Sequence, residues 1–186
     1  SIRLVQSLPS VAVQRELSPN GGDLSVRGSR PGDNRYYLDG VELPYLYHFN
    51  QYASVFPARM IDTLELFPST YGASYGDSVG AIIEATSKMP RTKGLHGGAF
   101  VNMIMAGGNV HTPVGPNWNI IGSGRRSYQD LAGEQTEQYT VWPTFWDYAL
   151  RAQHSDAKQE KTTQLFAYGA GDRYTRAVGE LDILDP

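Results

Sequence analysis

Gly72-Ala73-Ser74-Tyr75-Gly76 is the one stretch of this 186-residue chain that frames a nucleophile. In the G-x-S-x-G pattern of α/β hydrolases the serine stands on a sharp strand-to-helix turn, and an acid and a histidine follow in chain order, as Asp147 and His154 do here. The flanks argue against that chemistry. Pro68-Ser69-Thr70 interrupts the approach, the exit over residues 79–86 reads as strand, and Asp147 and His154 fall on opposite faces of a strand by parity. Gly72, Gly76 and Gly80 recur every fourth residue, but no Lys-Ser or Lys-Thr pair follows the last, so a phosphate loop is not implied. His48, His96, His111 and His154 lack the i, i+4 spacing of a helical zinc site. Asp23, Asp33, Asp39, Asp62 and Asp77 lack the spacing of a calcium loop, and there is no cysteine. The expectation is a chain that is not an enzyme, with no metal and no cofactor.

What remains is recognition. Residues 45–52 read YLYHFNQY, a cluster rich in Tyr, Phe, His, Asn and Gln with little aliphatic content, suited to stacking on and hydrogen bonding to a polar ligand. The competing use is internal: Tyr47, Phe49 and Tyr52 would equally build a small core. A net charge of -3 gives no basic footprint, which excludes nucleic acid as an expected partner.

The elements that would hold these residues are strands. With 20 Gly, 11 Pro and 12 Tyr there is little room for long helices. In LSVRG and NRYYLDGVEL, β-branched and aromatic residues alternate with polar ones, and Asp39-Gly40 marks a two-residue hairpin turn. The Gly-rich spacing of 72–80 suits close backbone approaches and sharp reversals, not a helix. After MPRTKG, a charged linker at 89–94, the chain reads as five successive antiparallel strands over 97–105, 109–114, 117–128, 145–154 and 162–170. In the fourth, Trp146, Tyr148, Leu150 and Ala152 share one face and Asp147, Arg151 and Gln153 the other; the third alternates in the same way. Lipid outside and water inside would give this pattern, and so would a soluble sheet with one wet face. Trp118, Trp142, Trp146 and Tyr148 near strand ends favour an interfacial aromatic girdle. The first strand, 97–105, is apolar on both faces. The turns at 114–117 and 155–161 are compact, whereas 129–144 is long, polar and acidic, which would place it outside a membrane barrel.

Two blocks, LSVRGSRPGDNRYYLDGVELP at 24–44 and IDTLELFPSTYGASYGDSVGAIIEATSK at 61–88, resemble the plug domain of a TonB-dependent outer-membrane receptor. The resemblance implies a mainly β fold: a small α+β plug over residues 1–90, lacking its N-terminal part, then over 91–186 about five antiparallel strands of an incomplete transmembrane β-barrel. Such a barrel has about 22 strands and a lumen closed by the plug. SIRLVQSLPSVAV corresponds to the middle of a plug, where relatives carry a short helix and then a turn, here Leu8-Pro9-Ser10-Val11. The family further implies energy-coupled uptake of a scarce bulky nutrient across the cell outer membrane. Its expected partners are a TonB-like inner-membrane energy-coupling protein, engaged through an upstream segment, the remaining barrel strands and outer-membrane lipid. The alternative is a receptor-like barrel that anchors a protein assembly without transport. Ligand contacts are implied for the outward plug loops, with Arg30, Asp33, Asn34, Tyr47, His48, Phe49 and Asn50 as candidates. Arg27 corresponds to a family arginine that pairs with carboxylates of the barrel wall. The second Arg-Gly of the family is replaced by Phe67-Pro68-Ser69, and Val79 stands in place of the first of two adjacent glycines.

Overall fold

The computed structural model describes residues 11–13, 24–48, 53–89, 94–128, 141–156 and 161–176. The expected turn at 8–11 apart from Val11, Phe49 and Asn50, and the loop 129–140 lie outside these residues.

Short strands open the chain. β1 (Val11–Val13) pairs antiparallel with β2 (Leu24–Val26). Arg27 and Gly28 then take φ of 52° and 81°, and Ser29 N donates to Val26 O at 3.0 Å, closing a tight turn with positive φ at both central residues. A single 3-10 turn (Pro31–Asp33) leads into β3 (Arg35–Leu38). The Asp39-Gly40 signal is borne out, with φ of 51° and 79° turning β3 back into β4 (Val41–Leu43). β5 (Tyr47–His48) pairs with β6 (Ala53–Ser54), and β7 (Ile61–Phe67) with β8 (Ile82–Ser87). The four-stranded sheet has the order β4-β3-β8-β7, and β3 and β8 run parallel, which requires the long crossover that residues 39–81 supply. Leu24, Leu38, Leu43, Leu46, Val55, Phe56, Met60 and Ile83 are its sealed core.

The Gly-rich reversal at 72–80 is irregular, as its composition demands. Its shape is fixed by tyrosines: Tyr75 lies edge-on to Tyr37 at 5.2 Å and against Phe67, and its hydroxyl donates to Glu84. That bond, helped by burial and the charge of Glu84, pushes the Tyr75 hydroxyl up to about 12. Tyr71 donates to Ser78 O at 2.6 Å. Only Gly80 of the three glycines is at a close approach: a Cβ there would lie 2.6 Å from Asn34 Oδ1 and 2.8 Å from Asp33 O, while Gly72 and Gly76 have room.

The second half is a meander of five antiparallel strands in sequence order: β9 (His96–Val101), β10 (Met105–Val114), β11 (Trp118–Ser127), β12 (Val141–Ser155) and β13 (Thr162–Arg176). Number and order agree with the sequence reading; several boundaries do not. The expected strand over 97–105 is cut at 102–104 because Asn102 Oδ1 accepts from Ile104 N and Met105 N, both at 2.9 Å, and bends the chain. β12 begins at Val141, inside the expected loop. Alternation is clearest in β12. Ile121, Phe145, Asp147, Ala149, Arg151 and Gln153 are buried toward the N-terminal unit, while Val110, Trp118, Trp146, Tyr148, Leu150 and Leu165 stand exposed on the far face.

Candidate functional site

The two halves meet through apolar packing, in which Ile121 and Ala149 join the core of the N-terminal unit, and through charge. His48, at the end of β5, is fully buried, with Nε2 2.9 Å from Asp147 Oδ2 on β12 and Nδ1 2.6 Å from Asp172 Oδ1 on β13. Phe145 stacks on its ring at 4.5 Å and Tyr45 meets it edge-on at 5.6 Å. From β11, Arg125 Nε reaches Asp147 Oδ2 at 2.6 Å, and its Nη2 donates to Ser54 O on β6. With His48 protonated, the group holds two positive and two negative charges. Burial alone would depress the imidazole, yet the hydrogen bonds and charges of Asp147 and Asp172 outweigh it and raise its pKa above the ordinary value. Burial, followed by the charge of Asp172, raises the Tyr45 hydroxyl, so a neutral phenol faces the cluster. One histidine and two carboxylates resemble a metal-ligand set, but each ring nitrogen already holds a carboxylate and Arg125 supplies the cation.

A second latch lies four residues along the same face of β12, about 13 Å away at ~3.3 Å per residue. Arg151 Nη1 donates to Asp39 Oδ1 at 2.9 Å and to Ser87 Oγ at 2.6 Å, and Nη2 donates to Gln153 Oε1. Asp39 is the first residue of the β3–β4 turn, and its Oδ1 also accepts from Ser87 N at 2.9 Å. The turn residue thus ties the end of β8 to the meander. The carboxylate comes from the N-terminal unit and the arginine from the meander, the reverse of what Arg27 implied. Arg27 is exposed and donates to Ser69 Oγ at 2.8 Å, and it makes no ion pair to the meander among the described residues.

The opposite end of the four-stranded sheet carries residues 28–34, 68–71 and 79–80. A cleft of about 380 Å³ opens there, lined by Arg27, Gly28, Ser29, Ser69, Thr70, Tyr71 and Gly80 among others. Of the ligand candidates, Arg30 is exposed; its backbone NH donates to Asp33 Oδ2 at 2.9 Å and its carbonyl accepts from Asp33 N at 3.0 Å. Asp33 also fixes the reversal through its carbonyl, which accepts from Gly80 N and Ser78 Oγ. Asn34 is buried: Oδ1 accepts from Ala81 N at 2.8 Å and Nδ2 donates to Leu24 O. Tyr47 belongs to the core and His48 to the latch. These three are therefore structural where a ligand role was expected, and Phe49 and Asn50 lie outside the described residues. Ser74 is exposed on the reversal, Asp147 is held by His48 and Arg125, and His154 sits beside Trp118 at 5.0 Å. The residues that sequence reasoning missed are Asp39, Arg125, Asp147, Arg151 and Asp172 as latch members. The signal was charged residues on the inward parity of strands whose other face is apolar.

Residues 2–82 match the TonB-dependent receptor plug domain family. Among solved structures, the siderophore receptor PirA from Pseudomonas aeruginosa superimposes with a TM-score of 0.52 at 15% identity. The match covers 94% of this chain and 39% of PirA, so the chain spans well under half the length of that receptor. A search of curated proteins gave no match.

Proposed function

From the premise that this chain carries a TonB-dependent receptor plug domain followed by antiparallel strands resembling part of such a receptor's barrel, we propose that it takes part in energy-coupled uptake through an outer-membrane receptor. It is a receptor-type protein, not an enzyme. The observation that carries the reading is the build of the plug-to-wall contact. His48 and Asp39 join the wall through buried ion pairs, whose Coulombic gain is largely offset by desolvation. A plug held this way stays seated at rest, yet can move when water replaces each partner. Apolar packing of Ile121 and Ala149 on the N-terminal core accompanies these pairs, and a permanent anchor would need no buried charges beside it.

The ligand enters, in this reading, at the cleft between residues 27–29 and 68–71, which Arg27 lines and which the exposed Arg30 adjoins in the chain, both planar donors to a polar or anionic cargo. The whole receptor couples to a TonB-like inner-membrane protein, and its far face lies in outer-membrane lipid. PirA is a siderophore receptor, which makes ferric siderophores the first cargo to try. The test is Arg27→Ala with Arg30→Ala in the full-length receptor. Growth on the limiting nutrient should fall while receptor abundance in the outer membrane stays constant. Unchanged growth on every scarce nutrient, with loss of a co-purifying protein, would favour the alternative of an outer-membrane anchor.

A further inference from the structure

Far from the outward cleft, on the lumen side of β9 and β10, the seam between plug and wall opens into a cavity of about 330 Å³. Arg59 and Lys88 reach it from the plug, and His96, Gly98, Asn109 and His111 from the wall. Among the described residues no Asp or Glu lines it. We propose that this seam binds a small oxyanion that also carries a hydroxyl, of the hydrogen-phosphate kind.

Three observations converge. First, Arg59 is held without using its donors. Its guanidinium carbon lies 5.4 Å from the centroid of the Phe100 ring, a contact through the π face, and among the described residues no carboxylate or carbonyl takes its N–H groups. Five donors in a planar fork are left for an oxyanion, with the Lys88 ammonium beside them. Second, Gly98 makes the room. A Cβ there would lie 3.2 Å from Arg59 Nη1 and 3.8 Å from Asn109 Oδ1, so even a methyl would make the guanidinium give by a few tenths of an ångström and a larger side chain would take its place. Third, Asn109 Oδ1 is sealed from solvent and has no donor partner among the described residues. A buried acceptor of this kind calls for a donor. A bare anion satisfies the cations and repels Asn109 Oδ1; an oxyanion with one protonated oxygen satisfies both. His96 and His111, stacked at 5.1 Å, close the wall side.

The test uses the full-length receptor in detergent, without phosphate in the buffer, titrated near pH 7 with inorganic phosphate and, separately, with sulfate, and followed by calorimetry. Phosphate should bind saturably, and sulfate, fully deprotonated at that pH, about tenfold more weakly for want of the hydroxyl hydrogen bond. Arg59→Gln should weaken phosphate by at least about tenfold through loss of a charge-assisted pair. Gly98→Ala should weaken it in the same direction, and it carries the test if Arg59→Gln fails to fold. Absence of saturable phosphate binding, or binding untouched by both substitutions, overturns the site. Equal affinity for sulfate and phosphate overturns the hydroxyl requirement, and with it the proposal.

Discussion

At the scale of single residues, His48 concentrates the chemistry of the chain. Because its folded pKa is raised above the ordinary 6.5, the stability it contributes is fully present below that value and is lost as pH rises through the folded pKa. The melting temperature of the full receptor should therefore decline with pH above 6.5, and the decline should vanish in His48→Gln, whose amide cannot be charged. At neutral pH the same variant removes the partner of Asp172, whose side chain is 28% exposed, while Asp147 keeps Arg125, so the loss should stay below the roughly 3–5 kcal/mol expected for a fully buried unpaired charge. Melting curves of the two proteins at several pH values check both statements; parallel curves would remove His48 from the latch. Gly80 makes a simpler case. Gly80→Ala drives a Cβ into Asn34 Oδ1 and the Asp33 carbonyl, and since one obstacle is backbone the strain is not relieved by a rotamer change. A loss of about 1–3 kcal/mol is expected by chemical denaturation, whereas Gly76→Ala, in open space, should cost much less.

At the scale of elements, β12 carries both latches, and alternation along it separates two environments. Arg151→Ala strands the Asp39 carboxylate, which is almost wholly buried, and should destabilise the plug-to-wall contact by about 3–5 kcal/mol. Restoring the balance with Asp39→Asn in the same protein should recover part of that loss. A double-mutant cycle on denaturation midpoints measures the coupling, and additive losses would show that the pair does not act as a unit. On the other parity, Trp118 and Trp146 are eight strand positions apart through the Trp118↔His154 pairing. At ~3.3 Å per residue and a tilt near 40° that is about 20 Å of height, close to the apolar band of an outer-membrane barrel. How far such features were legible in the sequence follows from their range. The Asp39-Gly40 turn, the face assignments of β11 and β12 and the five-strand order are local or periodic, and all were readable. The partners of His48 lie 99 and 124 residues away, so parity could place Asp147 inward without saying what it would meet. Residues 45–48 show the consequence. Their aromatic and polar mixture fits a ligand surface and a core equally well, and only the packing of β12 and β13 against them decides for the interior. Arg27-Gly28, read through family likeness as a latch to the wall, forms a turn with positive φ at both residues, and among the described residues the Arg27 guanidinium donates to Ser69.

At the scale of the whole molecule, the five-stranded sheet has two free edges among the described residues, β9 and β13. Both are long enough to template pairing with other strands, and β13 runs for 15 residues. In hydrocarbon, unpaired edge N–H and C=O groups each cost several kcal/mol, which is why barrels close. The far face adds Val110, Trp118, Trp146, Tyr148, Leu150 and Leu165, all exposed and none charged. In water, an apolar face with two open edges is an aggregation surface. Plug burial does not relieve this, because the plug covers the inward face alone. These 186 residues produced by themselves should therefore aggregate or require denaturant, whereas the same residues within a closed barrel should be monodisperse in detergent. Size-exclusion chromatography with light scattering, before and after adding detergent, distinguishes the cases. A monodisperse, cooperatively unfolding, detergent-free monomer would mean that the far face and both edges are satisfied within the chain, and the barrel reading would fall with that result.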